Sequence, residues 1–519
     1  MLTQLLVASV TQPAHAASAH GGMHHSMGPY SVAASVFPYV SVGFLYIKRA
    51  ILRRRYRREA EASEFMPDEG WAGVAQRRGR LLSLTLLLPA MSIVAPPVFL
   101  QAQPGPPRET EAPPPRVSFD AQARMRAENW SNFGLSSGVD REDAFVLGRV
   151  MLGMDVRFGR HVRGYVQARS SFLSERNLPG GNRPADQDHL DLQNGFLDIS
   201  LPLAGEAPLV LRAGRQELLF GRERLVSPAD WANTRLTFDG ARAILDSQNW
   251  SVHAFFVRPV QIKLTDFNWS DETCDFYGVY ATRVHSPGLQ YDLYWLALDR
   301  DSVAFNGSAG RERRHTVGAR LAGKSESGWD YDLELAYQAG DVSNADISAY
   351  MIGSQIGWTF PDAGWAPRIF GEFDYGSGDD EPGGEVNTFN PLFASGHKYL
   401  GHVDALGRRN VAAISGGVRL MPLSRLTVTL QAHRFWRASE EDSVYSPSGA
   451  IVRQTEPGAS KDLGSEIDAL VSYGVRPGLT ASVGYGRFES GPFLEQTGPS
   501  EDPQLLYGAL EWKSGEQGR

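Results

Sequence analysis

A single cysteine, Cys274, stands in 519 residues. No intramolecular disulfide, CxxC pair or thiolate-built metal site can form from one thiol. No HExxH occurs either, which removes the commonest helical zinc site. Long apolar runs are missing beyond residue 103, and mean hydropathy is −0.28. A bundle of membrane helices would be far more apolar, since each span needs about 20 consecutive apolar residues. Excess positive charge is missing as well: 51 Lys and Arg face 59 Asp and Glu, for a net charge of −8. The first 103 residues carry an excess of arginine, so the remainder is more acidic than the total suggests. That balance argues against a nucleic-acid partner, and no cofactor is expected.

What the chain does have is glycine and aromatics: 54 Gly, 18 Tyr, 25 Phe and 11 Trp. With 42% hydrophobic residues, this suits a structure that is apolar on one face only, as a membrane β-barrel is.

The first hundred residues read as targeting rather than fold. Pro29 to Ile47 is mostly apolar and is followed by Lys48, Arg49 and a run of arginines to Arg58. Arg77, Arg78 and Arg80 precede an apolar run from Leu81 to Leu100, then Gln101-Ala102-Gln103. A basic region, an apolar region and a small residue make a secretory signal. Its internal position places the translation start near Met66 or Val74 and the mature start near Gln103. The alternative is a genuine N-terminal extension over 1–80 with its own anchor. His15, His20, His24 and His25 are read as a polar tract. Residues 104–116, with Pro113-Pro114-Pro115, form a proline-rich linker.

From Val117 the chain alternates with period 2. Asp120, Gln122, Arg124, Arg126 and Glu128 share one face; Phe119, Ala121, Ala123, Met125 and Ala127 share the other. Near the far end, Leu426, Val428, Leu430, Ala432 and Trp436 oppose Thr427, Thr429, Gln431, His433 and Arg437. Arg434 interrupts the apolar side where it can snorkel to an interface. The pattern predicts strands at 117–130, 144–158, 161–173, 189–202, 207–219, 236–247, 249–259, 274–285, 288–299, 313–325, 328–340, 346–360, 366–377, 409–422, 424–437, 463–475, 478–489 and 503–513.

Connections after the second, sixth, eighth, tenth, fourteenth and sixteenth strands are short, such as Gly159-Arg160 and Arg476-Pro477. Those after the third, fifth, seventh, ninth, thirteenth, fifteenth and seventeenth are long. Short turns on one side and long loops on the other are the habit of outer-membrane barrels. The expected fold is therefore all-β: a transmembrane antiparallel up-and-down barrel of eighteen strands over 117–513, with a tail at 514–519. Eighteen strands are enough to enclose an aqueous lumen.

Three stretches give the barrel a family likeness. The first is Gly214–Leu218, continuing through Phe220-Gly221, Arg224-Leu225-Val226, Trp231, Asn233 and Phe238-Asp239-Gly240. The second is Phe373–Asp379, with Asn387–Phe393 and His397–Gly401. The third is Leu463–Asp468. Across about 117–513 the chain resembles the alginate-export family of outer-membrane porins. The resemblance implies an eighteen-stranded channel whose basic lining passes a polyuronate. It also implies contact with outer-membrane lipid and insertion by the barrel-assembly machinery. The chain departs from the usual pattern in ending past its last aromatic, Trp512, with Lys513 to Arg519.

A channel for an anion needs cations on its wall, and a guanidinium grips a carboxylate with two hydrogen bonds. Alternation points Arg124, Arg126, Arg149, Arg163, Arg169, Arg212 and Arg242 inward, with Arg320 and Arg419 from later strands. Inward acids cluster late: Asp330, Asp332, Glu334, Glu372, Asp374, Glu466 and Asp468. The expected pore-lining set is Arg124, Arg126, Arg149, Arg169, Arg212, Arg215, Arg242, Asp374, Arg419, Glu466 and Asp468. Two readings stay open: a basic ladder guiding an anion, or arginines and acids that pair and brace a solvated lumen. Arg222-Glu223-Arg224 either folds into the pore mouth or is a charged turn. Asp379, Asp380, Glu381 and Glu385 read as a solvated acidic loop, with calcium binding as the alternative. The expected activity is passive diffusion of anionic saccharides or small organic anions. Two other readings are an adhesive surface barrel and, more remotely, a barrel enzyme built around His433 or His315.

Overall fold

The computed structural model describes residues 115–135, 141–203, 207–264, 266–286, 288–305 and 307–514. The proposed extension at 1–80, the signal at 81–103 and most of the linker lie outside the described residues.

All eighteen expected segments form strands. They are β1 (Arg116–Ser131), β2 (Asp143–Phe158), β3 (Val162–Leu173), β4 (Asp188–Leu201), β5 (Leu209–Gln216), β6 (Phe238–Asp246), β7 (Trp250–Gln261), β8 (Cys274–Ser286) and β9 (Leu289–Phe305). They continue as β10 (Ser308–Lys324), β11 (Trp329–Val342), β12 (Ala345–Thr359), β13 (Arg368–Gly376), β14 (Val411–Leu423), β15 (Leu426–Trp436), β16 (Asp462–Arg476), β17 (Leu479–Ser490) and β18 (Gln504–Lys513). Each pairs antiparallel with its sequence neighbour, and β1 pairs with β18 from Gln122↔Lys513 to Ser131↔Gln504. That last pairing closes the barrel. Closure is what lipid demands, because an open edge would leave peptide groups without partners in hydrocarbon. Among the described residues, helix is limited to one α-helical turn, Pro492–Gln496, and one 3-10 turn, Gly396–Lys398.

The connection after β9 departs from expectation. A long loop was expected between 299 and 313, but β9 runs to Phe305 and β10 starts at Ser308. The ladder continues through Val303↔Gly310 to Phe305↔Ser308 after a register shift between Arg300 and Val303. The charges of Asp299 to Asp301 and the glycines at 307 and 310 look like loop, yet a strand beyond the membrane is wet on both faces and needs no apolar alternation. Gly318 to Ser325 spells the GxxxxGKS pattern of phosphate-binding loops. Here residues 318–324 lie in β10, paired with β11 throughout and with β9 as far as Ala322, and the Ser325 amide donates to the Trp329 carbonyl in the turn that follows; no helix follows, so the segment serves the ladder and its turn rather than an anion.

The outward face carries two levels of aromatics, as the membrane interfaces require. Toward the long-loop end, Phe256 stacks on Tyr277 with ring centroids 5.7 Å apart, Tyr277 meets Trp295 edge-on, and Tyr350 stacks on Tyr375. Toward the short-turn end, Trp329 stacks on Trp358. One step beyond the upper aromatics the outward side chains turn charged: Arg258 pairs with Asp275, Arg311 with Asp299, and Arg313 with Asp341. Arg434 reaches Asp462 on β16 at the same end of the barrel.

Leu333 lies on β11 between Trp329 and Tyr337 and faces outward. Leu333→Arg should lower the unfolding free energy in lipid vesicles by about 2–4 kcal/mol, the depth-dependent cost of a lipid-facing arginine. Urea unfolding checks it; an unchanged midpoint would mean that the face is not in contact with lipid.

Candidate functional site

The lumen is occupied by the chain's own loops. The loop between β5 and β6, residues 217–237, runs inward along β1–β3. Arg124 donates to the carbonyls of Asp230 (2.6 Å), Trp231 (3.1 Å) and Ala232 (2.9 Å). Arg149, with no exposed surface, donates to the Asp230 carboxylate at 2.6 Å and to the carbonyls of Asp230 and Ala232. Arg126 donates to the Trp231 carbonyl, pairs with Glu128, and lies 3.7 Å over the Trp231 ring. Arg169 donates to the Arg235 carbonyl and pairs with Asp188 at 2.7 Å. Asn233 donates to the carbonyls of Gly148, Phe172 and Asp186. Burying guanidiniums is costly unless each is paired and hydrogen-bonded; here the loop backbone supplies most of the acceptors.

The same loop reaches the far wall. Arg224 pairs with Asp332 and with Glu334 on β11, half-way round an eighteen-stranded barrel from β2. Arg320 and Tyr294 complete that cluster, donating to Asp292 and Asp332 and to Glu334. Phe220 stacks on Tyr280 at 4.7 Å, and Tyr280 on Tyr294. Of the two readings for Arg222-Glu223-Arg224, the folded-in one holds.

The second inward loop, 377–410 between β13 and β14, is zipped to the first. Ser227 N–H donates to the Phe393 carbonyl and Phe393 N–H to the Leu225 carbonyl, both at 2.9 Å. Arg408 pairs with Asp374 at 2.8 Å. Glu466 accepts from the Val403 amide at 2.8 Å and Asp468 from the His402 amide at 3.3 Å. His433, which had no evident partner in sequence, lies 3.2 Å from Asp468. Trp231 lies face to face with His397, ring centroids 3.6 Å apart, so that ring is held between Arg126 and His397. The hydrogen-bonded chain His402–His397–Asp404 runs at 3.0 Å per link.

The remaining expected residues divide. Arg212 grips Asp198 with two bonds and covers Phe196. Its cross-strand neighbour Arg242 meets His253 at 2.9 Å and lies 5.2 Å from the Phe220 ring centroid, with no ion pair among the described residues. Arg215 is three residues from Arg212 and so falls on the other face of β5, paired with Asp239 and Asp191 and with the Asn268 carbonyl. Arg419 sits across from Arg368 and is exposed, with no ion pair among the described residues. Arg368 is bound to Asp330, and both it and Arg222 reach the Gln355 side-chain oxygen at 3.4 Å. Among the described residues no group of three or more His, Cys, Asp or Glu is placed to hold a metal ion.

Asp230 and His402 both stand far from their ordinary values. Burial alone would raise the Asp230 carboxyl, but Arg149, Arg235 and Arg124 outweigh it and hold it at about 2. Burial, then the charge of His397, pushes His402 down to about 4.

A model of the family described as alginate export matches residues 115–507. No curated protein matches the chain. Among solved structures, Pseudomonas aeruginosa OpdO is 13% identical, with a TM-score of 0.51, over 76% of this chain and 96% of that one. The outer membrane protein OpdK of the same organism is 10% identical, with a TM-score of 0.52, over 76% and 98%. At such identity these two show the fold alone.

His402 gives the docked loop a pH dependence. Its folded value lies below the ordinary 6.5, so the undocked loop binds more protons between about pH 6.5 and 4. Docking is therefore fully stable above that window and weakens as pH falls through it, by up to about 1.4 kcal/mol per unit. Trp231 fluorescence should report loosening on acidification, and His402→Gln should flatten the response. An identical acid response in the variant would assign the change elsewhere, for instance to Asp468, Glu466, Asp404 or His433.

Proposed function

We propose that this chain, a member of the alginate export family of outer-membrane porins, passes anionic saccharides of the polyuronate kind, or other small organic anions, by passive diffusion and without catalysis. The barrel lies in the bacterial outer membrane, and its lipid-facing band meets the lipid of that bilayer. The long loops would then face outward and both chain ends the periplasm.

One observation carries the anion preference. Of the guanidiniums facing the lumen, those bound to loop carbonyls or wall carboxylates are already committed. Arg419 is not: it stands exposed beside Arg368 without an acid of its own. Arg222 hangs from the inward loop near the same point, sharing Gln355 with Arg368. Asp330 and Glu372 face these cations, and Asp332, 4.0 Å from Arg222, is already shared by Arg224 and Arg320; the positive charge left over raises the local anion concentration, and low-dielectric walls strengthen that field. Arg242, beside Arg212 and without an ion pair among the described residues, extends the same sign toward β6. A uronate carboxylate would replace the water on these groups with charge-assisted hydrogen bonds.

Reversal potentials in planar bilayers under a salt gradient measure the preference. The wild type should favour anions, and added oligouronate should block its single-channel current. The Arg222→Gln/Arg419→Gln double variant should shift toward cations. The shift should be larger at 0.1 M than at 1 M salt, where screening shortens from roughly 10 Å to roughly 3 Å. A potential that does not move in the double variant contradicts the assignment.

A further inference from the structure

At the extracellular mouth, three buried donors belonging to one network have no acceptor among the described residues: Arg314 Nη2, Asn390 Nδ2 and Arg409 Nε. They are linked through the protein. Arg314 donates to the Gln338 side-chain oxygen at 2.8 Å, and Gln338 exchanges bonds with the Asn390 backbone at 2.7 and 2.9 Å. Arg409 donates to Asn390 Oδ1 at 3.3 Å. Phe305 lies under both guanidiniums, 5.2 Å from that of Arg314 and 5.4 Å from that of Arg409, and Tyr445 lies 5.9 Å from the latter.

The charges of this cluster do not balance. Arg300 and Arg314 share one carboxylate, Glu312, at 2.5 and 2.6 Å. Arg409 has none. Asp442, bonded to the Tyr445 that lies beside Arg409, accepts from the Tyr445 hydroxyl, from Thr388 and from the amides of Asp379 and Ser443. Burial, then the charges of Arg300 and Arg314, push Arg409 down to about 10. Water can satisfy an orphaned N–H but supplies no charge, and a neutral sugar hydroxyl supplies none either. The missing piece is rich in acceptors and negative.

We propose that a small oxyanion or carboxylate binds here, between the β9–β11 wall and the 377–410 loop, held by Arg314, Asn390 and Arg409 with Arg300 at the edge. Arg314 and Asn390 are buried and fix the floor; the partly exposed Arg300 and Arg409 leave the entry side. The site stands above the Arg222–Arg368–Arg419 group and is separate from it. It would catch an anion before the constriction, an extracellular role that rests on the channel reading, whereas the anion site itself rests on the orphaned donors alone.

Titration calorimetry on the full-length barrel in detergent, at fixed ionic strength, uses inorganic phosphate in one arm and glucuronate in the other. The wild type should bind at least one saturably, and the tighter of the two identifies a free oxyanion or a saccharide carboxylate as the ligand. Arg409→Gln should weaken it about tenfold or more, the loss expected for a charged hydrogen bond. Arg409→Lys keeps the charge without the fork and should fall between; it also serves if the glutamine variant does not fold. Binding of neither anion by the wild type, or equal binding by wild type and the variants, overturns the site. Because the readout is binding, its failure leaves the reversal-potential result untouched, and the reverse holds as well.

Discussion

Hydrocarbon offers a peptide group no hydrogen-bond partner, and each unsatisfied group costs several kcal/mol there. The rest of this structure follows from that constraint. Eighteen strands close on themselves through β1 and β18, and a closed ring of that size encloses more space than its wall side chains can fill. The space is then occupied by loops that carry apolar residues of their own. Leu218, Phe220, Leu225, Val226 and Phe389 are buried against the inner faces of β7–β12. Tyr399, Leu400, Val403 and Leu406 are buried against β15–β18.

Holding irregular backbone inside a polar ring raises a second problem, since carbonyls brought off the solvent need donors. Arginines on β1–β3 supply them. A guanidinium carries five N–H groups in a fixed fork, so Arg124 alone takes three successive carbonyls. The charge this brings in is offset locally by Glu128, Asp188 and Asp230. Across the lumen the polarity inverts: wall carboxylates of β11, β13 and β16 receive Arg224, Arg408 and the amides of His402 and Val403. Removing one partner of such a buried pair costs about 3–5 kcal/mol, so wall and loops form one rigid unit. The electrostatic sign seen by a permeating ion is set by what this bracing leaves over, not by the total of charges facing inward.

The barrel was legible because its grammar is local. Period-2 alternation and the contrast of short turns with long loops need no knowledge of distant contacts. Where alternation was not required, as beyond Asp299 in β9, reading it failed. The inward direction of Arg124, Arg149 and Arg169 was equally legible. Their partners were not, because they are mostly backbone carbonyls of residues 230–235, and a carbonyl leaves no mark in sequence. One signal was available: loops meant for water do not carry Leu218, Phe220, Trp231, Phe389, Phe393, Tyr399 and Leu406. Their apolarity marks segments that must be buried somewhere, and inside the barrel is where a loop can be. The His433–Asp468 contact is a cross-strand relation between β15 and β16 offset by two residues from the direct pair His433↔Glu466, which alternation alone does not rank.

The central claim is that residues 217–237 span the lumen and set its width. Single-channel conductance of a barrel in which 218–236 are replaced by a short Gly-Ser linker tests it most directly. The account predicts a conductance several-fold above wild type at high salt, where charge is screened and width dominates. A conductance equal to that of the wild type, in a barrel shown to be folded, would contradict it.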